Sequence, residues 1–361
     1  MARSDHIIKL SHGQRGGIAI LFALCLPVLL GFAALAIDLA RLNLTKVELQ
    51  NAADAAAIGG ARSLTDPGAL PFNWAKANIM ATSMAQQNVA NGRNITDATI
   101  EDGYWNILTK SWIPVPIPDV QPVGYVPAIR ATIDISSTKN NGPLKLFFGS
   151  FLGKNTQAVS ASAIALIASP GGGTGFFPFA INKEMFDLFW DSTTNSPKFD
   201  PKTGKPFSLQ MGSIYDNTGK VDANGTINSG QWTPLNDPNT GTSTMSNWIS
   251  SSGTSNTLSV NIGDKIWVAP GAKATLYGDT KTLVNKNEPN STFVTIYVVD
   301  KITVKTQQTV VAIGGFQITS ADQAKKIIYG NFIDNVTASG SNPGSGIAPI
   351  YGAYTPPLLV Q

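Results

Sequence analysis

Between Gly16 and Ile37 the chain runs for 22 residues without a charge or a polar side chain (GGIAILFALCLPVLLGFAALAI), and the other uncharged runs as long as this one are rich in Ser, Thr, Asn and Gly. A bilayer core of about 30 Å needs about 20 apolar residues in a helix to cross it. The run is long enough, and Arg15 and Asp38 bracket it. It predicts a transmembrane helix over 16–37, with Pro27 near its middle as a tolerated kink. The helical pattern does not stop at Ile37. Leu35, Leu39, Leu42, Val47, Leu49, Ala53, Ala56 and Ala57 recur at steps near three and four, the apolar stripe of an amphipathic helix leaving the membrane. Beyond Asn51 the stripe turns to alanine, a strong helix former that admits a close neighbour. Gly59 and Gly60 weaken the helix, and Thr65-Asp66-Pro67-Gly68 ends it. The expected rod has roughly 45 residues and is ~65 Å long. Leu39, Leu42, Leu49, Ala53 and Ala56 form its contact stripe, turned to the protein's own head or to partner helices.

Further along, the pattern shortens. A second helix is expected from Pro71 to Val89, closed by Asn91-Gly92. Strands are expected at Ala98–Ile107 and Ala128–Ser136, with a proline-rich run over 113–127 that fits only edge or extended structure. Leu144–Leu152 (LKLFFGSFL) reads as one or two helical turns, either a core plug or a membrane-surface contact. Gln157–Ala168 reads as a buried strand, and Ser169–Gly175 (SPGGGTG) as a linker. From Phe176 onward the chain reads as mainly β. Strands are expected at Asp264–Val268, Lys273–Leu276, Thr292–Val299, Ile302–Val304 and Thr309–Ile318, with a hairpin over Tyr297–Thr309. Short helices are expected at Lys183–Trp190 and Ala321–Tyr329, and Thr193–Gly230 is rich in turn signals. The fold class is therefore α+β: a tail over 1–15, the transmembrane helix over 16–37, a stalk helix with a pilin-like α/β part over 38–168, a linker over 169–175, and a mainly β domain over 176–361.

Charge orients the chain. Arg3, Lys9 and Arg15 face Asp5 alone before the span, whereas Asp38, Arg41, Lys46 and Glu48 balance after it. The positive-inside rule puts the N-terminus in the cytoplasm and residues 38–361 outside. The competing reading is a cleaved signal peptide, with Ala34-Leu35-Ala36 as the cleavage site and a secreted adhesin as its product. Charged residues make up only 14% of the chain, against about a quarter in ordinary soluble domains, and Gly and Pro together account for 56 of 361 residues. That mix suits short strands and turns. The net charge of +3 resides mostly in the tail, so no basic face for nucleic acid is expected. The single cysteine, Cys25, lies in the span and excludes an intrachain disulfide.

Candidate chemistry is sparse. Both histidines, His6 and His12, fall in the tail, which removes Ser-His-Asp and Cys-His constellations and histidine zinc sites from the external part. The enzymatic options left would use carboxylates, lysines or tyrosines; no close acidic pair stands in an apolar context, and a carboxylate-only glycosidase would need a pair distant in sequence. Lys220–Gln231 has Asp222, Asn224, Gly225 and Ile227 at calcium-loop offsets, but Lys220 and Gln231 occupy the first and twelfth positions, and a turn is expected. Ser169–Gly175 lacks the Lys-Ser/Thr of a phosphate loop, and Asp191-Ser192-Thr193-Thr194 fails the metal-adhesion pattern at its serine positions. Asn43, Asn94, Asn290 and Asn335 open glycosylation sequons of a kind common by chance. No catalytic residue, cofactor, metal or small-molecule substrate is expected.

The block Arg15–Ala61 resembles the N-terminal segment of TadG-like proteins of the Flp (tight adherence) pilus machinery. The residues that carry the resemblance are GIAILFAL from Gly17, Pro27, the AID at Ala36–Asp38, and LQNAADAAA from Leu49 to Ala57. FPFAI at Phe177–Ile181 and the ending GAYTPPLLVQ look similar to family members that lack a von Willebrand-type domain. The resemblance implies a bacterial protein of the inner membrane that serves pilus assembly or surface adhesion. Its partners would be membrane lipid and either Tad pilus or secretion components or a second copy, met through the stalk. The related TadE-like pseudopilins carry a glutamate where this chain has Leu21. Gly16 and Gly17 are present without it, which argues against processing and polymerisation as a pilin subunit.

Overall fold

The computed structural model describes residues 17–67, 71–149, 153–212, 230–269, 273–303 and 305–361. Helix α1 (Gly17–Arg62) is a single rod of 46 residues that carries Pro27 within it. Its two halves differ. Nearly every residue from Ile18 to Ile37 is exposed; from Asp38 onward one face is buried. The tail over 1–15 lies outside the described residues, as do residues 220–229 of the calcium-like stretch; Gln231 stands in the strand Gln231–Trp232.

The inner half of α1 lies on an antiparallel five-stranded sheet. The spatial order is Leu358–Leu359, Val159–Leu166, Tyr125–Ile135, Thr99–Asn106 and Ser111–Pro114. Helix α2 (Trp74–Gln86) packs beside α1, its start capped by Asn73, whose side chain accepts from the Lys76 N–H. The seam is made of small residues. Ala53, Ala56 and Ala57 of α1, Ala77 and Ala81 of α2, and Ala163 of the sheet are all fully buried. Alanine costs nothing in helix propensity and keeps the backbones close, so a wide contact forms without large side chains. The proline-rich run behaves as its residues require. Ser111–Pro114 is an edge strand, and the loop after it is pinned by Asp119, which accepts from Trp74 Nε1 (2.7 Å) and Tyr104 Oη (2.6 Å). Burial, and then the Asp119 carboxylate, push the Tyr104 hydroxyl far above its ordinary pKa.

One polar pair at the α2–sheet contact is pH-dependent. Asn78 Nδ2 donates to Asp102 Oδ2 (3.0 Å), while Asn78 Oδ1 and Asp102 Oδ1 are buried without partners. Burial raises the Asp102 pKa, the Asn78 N–H pulls it back in part, and the charge of Asp119 raises it further. A proton on Asp102 Oδ1 turns two unpaired acceptors into a donor and an acceptor. The folded pKa thus lies above the unfolded value of about 3.9. The contribution to stability is fully present below that value and is lost as pH rises through the folded pKa. Asp102→Asn carries the second donor permanently. It is expected to stabilise the protein by about 1 kcal/mol at pH 7 and by nothing below pH ~4, as read from thermal melts across that range.

A second core is built on a mixed seven-stranded sheet. Its spatial order is Leu209–Gly212, Ile327–Phe332, Gln307–Asp322, Phe293–Val299, Phe179–Asn182 and Gln231–Trp232, with Lys265–Trp267 pairing on Gln307–Asp322. Phe179–Asn182 runs parallel to Phe293–Val299, while the other pairings in this sheet are antiparallel. Helices α3 (Lys183–Phe189), α4 (Thr242–Ser250) and α5 (Ala274–Asn285) belong to this body. The Gly-rich segment 169–175 contains the strand Gly172–Thr174, the middle of a three-stranded sheet between Val260–Asn261 and Gly340–Asn342. The chain then returns to the first body. Leu358 and Leu359 pair with Leu166 and Ala165, and the Thr355 N–H donates to the Ala168 carbonyl (2.8 Å).

Four expectations are corrected. Lys273–Leu276 is not a strand. It leads into α5, whose buried Leu276, Tyr277, Thr280 and Leu283 recur at helical steps that a four-residue window cannot reveal. Ala321–Tyr329 is not a helix. It is the turn between Gln307–Asp322 and Ile327–Phe332, where Ile328, Gly330 and Phe332 alternate inward with period two. Ile302 and Thr303 lie in the hairpin's connection, not in a strand, although the hairpin itself forms. Leu144–Leu152 does not begin as a helix: Leu144–Lys145 pairs with Thr156–Gln157, residues 146–148 form a loop, Gly149 stands in a 3-10 turn, and residues 150–152 lie outside the described residues. The N–H groups of residues 147–149 are taken up by a carboxylate more than a hundred residues away.

Candidate functional site

Asp38 is the first charge after the apolar run, and it is 3% exposed. Its side chain leans toward the N-terminus of α1, as every helical Cα–Cβ bond does. There it meets three backbone donors of the 146–149 loop. The N–H groups of Phe147 and Phe148 donate to Oδ1 (2.8 Å) and Oδ2 (2.7 Å), and that of Gly149 donates to Oδ2 (3.2 Å). Burial pushes the carboxyl up, but these donors and the nearby Arg41 together outweigh it, and the Asp38 pKa falls below its ordinary value. The group stays ionised and acts as a clamp. The loop is closed on itself by the Leu146 N–H to the Asn155 carbonyl (2.9 Å) and the Lys154 N–H to the Gly149 carbonyl (2.8 Å).

The next polar residues of α1 repeat the device. Arg41 donates to the Lys145 carbonyl (3.2 Å) and to Asn91 Oδ1 (3.4 Å), and its guanidinium stands 5.0 Å from the centre of the Phe147 ring. Glu48 accepts from the Asn91 N–H (2.7 Å), and Gln50 donates to the Ser162 carbonyl (3.3 Å). Four polar side chains spaced along the helix thus tie it to the head at separate heights. The contact-stripe residues are distributed along this seam. Leu49, Ala53 and Ala56 are fully buried in the chain's own core, Leu42 is half-buried, and Leu39 is exposed. Leu44 and Val47, on the outer side of the rod, are also exposed. Sequence reasoning missed the clamp. The available signal was a lone aspartate at the end of an apolar run, with an apolar FFG far downstream.

Among the described residues, further clefts lie away from the clamp. One, of about 720 Å³, separates the two bodies and is lined by Asp119, Asp187, Trp190, Tyr351, Val123 and Ile347. Both of its carboxylates are engaged: Asp119 by Trp74 and Tyr104, Asp187 by Tyr351 and Lys183. Another, of about 1010 Å³, is lined mainly by hydroxyl and amide side chains such as Ser250, Asn290, Asn335 and Thr337. Among the described residues no group of three His, Cys, Asp or Glu side chains is placed to hold a metal ion.

A bare apolar helix continuing into a head that it helps to build is the architecture of a candidate membrane anchor, long and apolar enough to cross a bilayer over its first half. Residues 16–63 match the family model described as putative Flp pilus-assembly TadE/G-like, and residues 59–165 match that described as putative Tad-like Flp pilus-assembly. Through residues 16–165 the chain is thus similar to proteins of the TadE/G-like and Tad-like Flp pilus-assembly families. The two matches meet at 59–63, where α1 ends against α2 and the sheet. Comparison with curated proteins and with solved structures yields no match.

Proposed function

We propose that this protein is a single-pass component of a bacterial inner membrane, with its N-terminus in the cytoplasm and residues 38–361 outside, acting in Flp pilus assembly through protein contacts and without catalysis. The observation that carries this reading is the division of α1. From Ile18 to Ile37 its apolar side chains lie almost wholly bare, which in water would be an exposed patch far larger than soluble proteins carry. From Asp38 onward the same helix is part of the fold. A rod held at both ends cannot swing, so the membrane half sets the height and direction of the head. Leu49, Ala53 and Ala56 are engaged with the head. Leu39, with Leu44 and Val47 beside it, is the part of the stalk open to a partner helix, whether a pilus component or a second copy.

Fractionation and cysteine accessibility test the anchor. The full-length chain is expected to sediment with inner membranes, resist alkaline carbonate and dissolve only in detergent. In a Cys25→Ser background, Ser255→Cys is expected to react with an impermeant maleimide on spheroplasts, and Ser4→Cys is not. Full-length protein free in the cytosol would overturn the reading. A chain shortened by its first 36 residues in the medium would replace it with the secreted adhesin.

A further inference from the structure

The clamp loop does not sit above the apolar half of α1; it lies along it. Within Ile18–Ile37, Gly31, Ala34 and Leu35 are the residues that are not exposed, and with Asp38 they form one helical face at steps of three and four. Phe148 reaches the far end of that face: a Cβ on Gly31 would stand 3.1 Å from Phe148 Cε2. Gly31 precedes Asp38 by seven residues, roughly 10 Å along the axis toward the membrane interior. If residues 16–37 fill a bilayer core, the Phe148 ring lies inside its outer edge. Phe147, next to it, is 64% exposed although it is among the largest apolar side chains. Cations crowd the neck of the same loop. Lys145 and Lys154 are exposed, and Arg41 stacks on Phe147. The one carboxylate of the clamp, Asp38, is already satisfied by the loop's backbone. Aromatic rings at the hydrocarbon edge below a cluster of cations fit the interface of a bilayer with anionic headgroups.

We propose that residues 145–149 form a second membrane contact beside the transmembrane helix. Phe147 and Phe148 enter the outer edge of the hydrocarbon, and Arg41, Lys145 and Lys154 meet the phosphates of anionic phospholipid. Asp38 is the positioning residue: it holds the loop against the helix so that the two aromatic rings lie at a fixed depth. With two points in the bilayer, the head is held at a set angle and cannot turn about a single helix.

This inference rests on α1 spanning the bilayer, and the test separates the two. The full-length chain, with Cys25→Ser, carries one cysteine at a time (Leu26→Cys, Phe147→Cys or Ser255→Cys), labelled with NBD and reconstituted in phosphatidylcholine vesicles with or without 30% phosphatidylglycerol. Doxyl-labelled lipids serve as quenchers. The label at 26 is expected to be quenched by mid-chain doxyl, that at 147 by doxyl near the headgroup, and that at 255 by neither. Quenching at 147 is expected to be at least twofold stronger with phosphatidylglycerol, and Lys145→Gln with Lys154→Gln is expected to abolish that difference. A quenched 26 with 147 as unquenched as 255 would overturn the loop contact while leaving the anchor intact. An unquenched 26 would overturn the anchor itself. Equal quenching at 147 in neutral and anionic vesicles would overturn the role of the cations.

Discussion

Gly60→Leu is expected to pry the stalk helix from the head, at a cost of about 3 kcal/mol, the upper end of what an overfilled core usually loses. At Gly60, α1 is in close contact with both α2 and the sheet. A single added carbon would stand 3.0 Å from Ala81 Cβ, 3.0 Å from Ile129 Cγ2 and 3.2 Å from the Ala77 carbonyl oxygen. Two of these neighbours cannot rotate away, since one is a Cβ and the other is backbone. Leucine adds four carbons, so the helix must move outward, and the alanine contacts along Ala53, Ala56 and Ala57 open with it. The conservative change distinguishes crowding from glycine's own effect. Gly60→Ala gains about 1 kcal/mol of helix propensity and loses a similar amount to the tight contacts, for a net near zero. Urea unfolding of the full chain in detergent, followed by tryptophan emission, reads both changes. Gly60→Leu with an unshifted midpoint would show that the seam is looser than these distances require.

Phe186→Ala is expected to cost 3–5 kcal/mol of the second body's stability, about what deleting a buried phenyl ring usually costs. The ring is fully buried in α3 and is stacked on two others: Phe332 at 3.7 Å and 16°, and Tyr351 at 4.5 Å and 20°. Trp190 meets it edge-on at 6.0 Å. Beneath it lies Gly314, at a position where any side chain would collide with the ring. Removing the ring leaves a void bounded by three aromatic groups and by sheet backbone, none of which is free to collapse into it. Trp190 reports the change directly, and a shift of its emission toward that of exposed indole should accompany the loss of stability. Phe186 lies in one hydrophobic cluster and Ala77, Ala81 and Ile129, the neighbours of Gly60, lie in another, so Phe186→Ala should leave the α1 seam folded under conditions where the second body has begun to open. Concerted loss of both would mean that the bodies unfold as one unit.

The long helix was legible because its signals are local. An uncharged run of more than twenty residues and a stripe at helical spacing need no knowledge of what surrounds them, and α1 spans Gly17–Arg62 much as the spacing predicts. The sheet strands at Thr99–Asn106 and Tyr125–Ile135 were legible for the same reason, and α3 followed from a short apolar stretch after Asn182. Short segments were misread where local preference is weak. Ala274–Asn285 and Ile327–Phe332 each mix small, polar and apolar residues, so packing chose helix for one and strand for the other. The candidate site was not legible: Asp38 read only as the charge that closes the apolar run, and the loop that binds it lies more than a hundred residues away.

From its residues alone this chain declares an apolar rod running into an alanine-faced stalk, with no histidine beyond the rod and a turn-rich β remainder, because periodicity, charge and composition act over a few residues at a time. Tertiary structure decided three further things. It laid the 146–149 loop on Asp38, it returned Leu358–Leu359 to the first sheet, and it divided the stripe between a buried Leu49 and an exposed Leu39. Each depends on which distant backbone donor or apolar face comes to lie opposite a residue, and no local pattern encodes that. It is settled when the chain closes over its own unsatisfied groups.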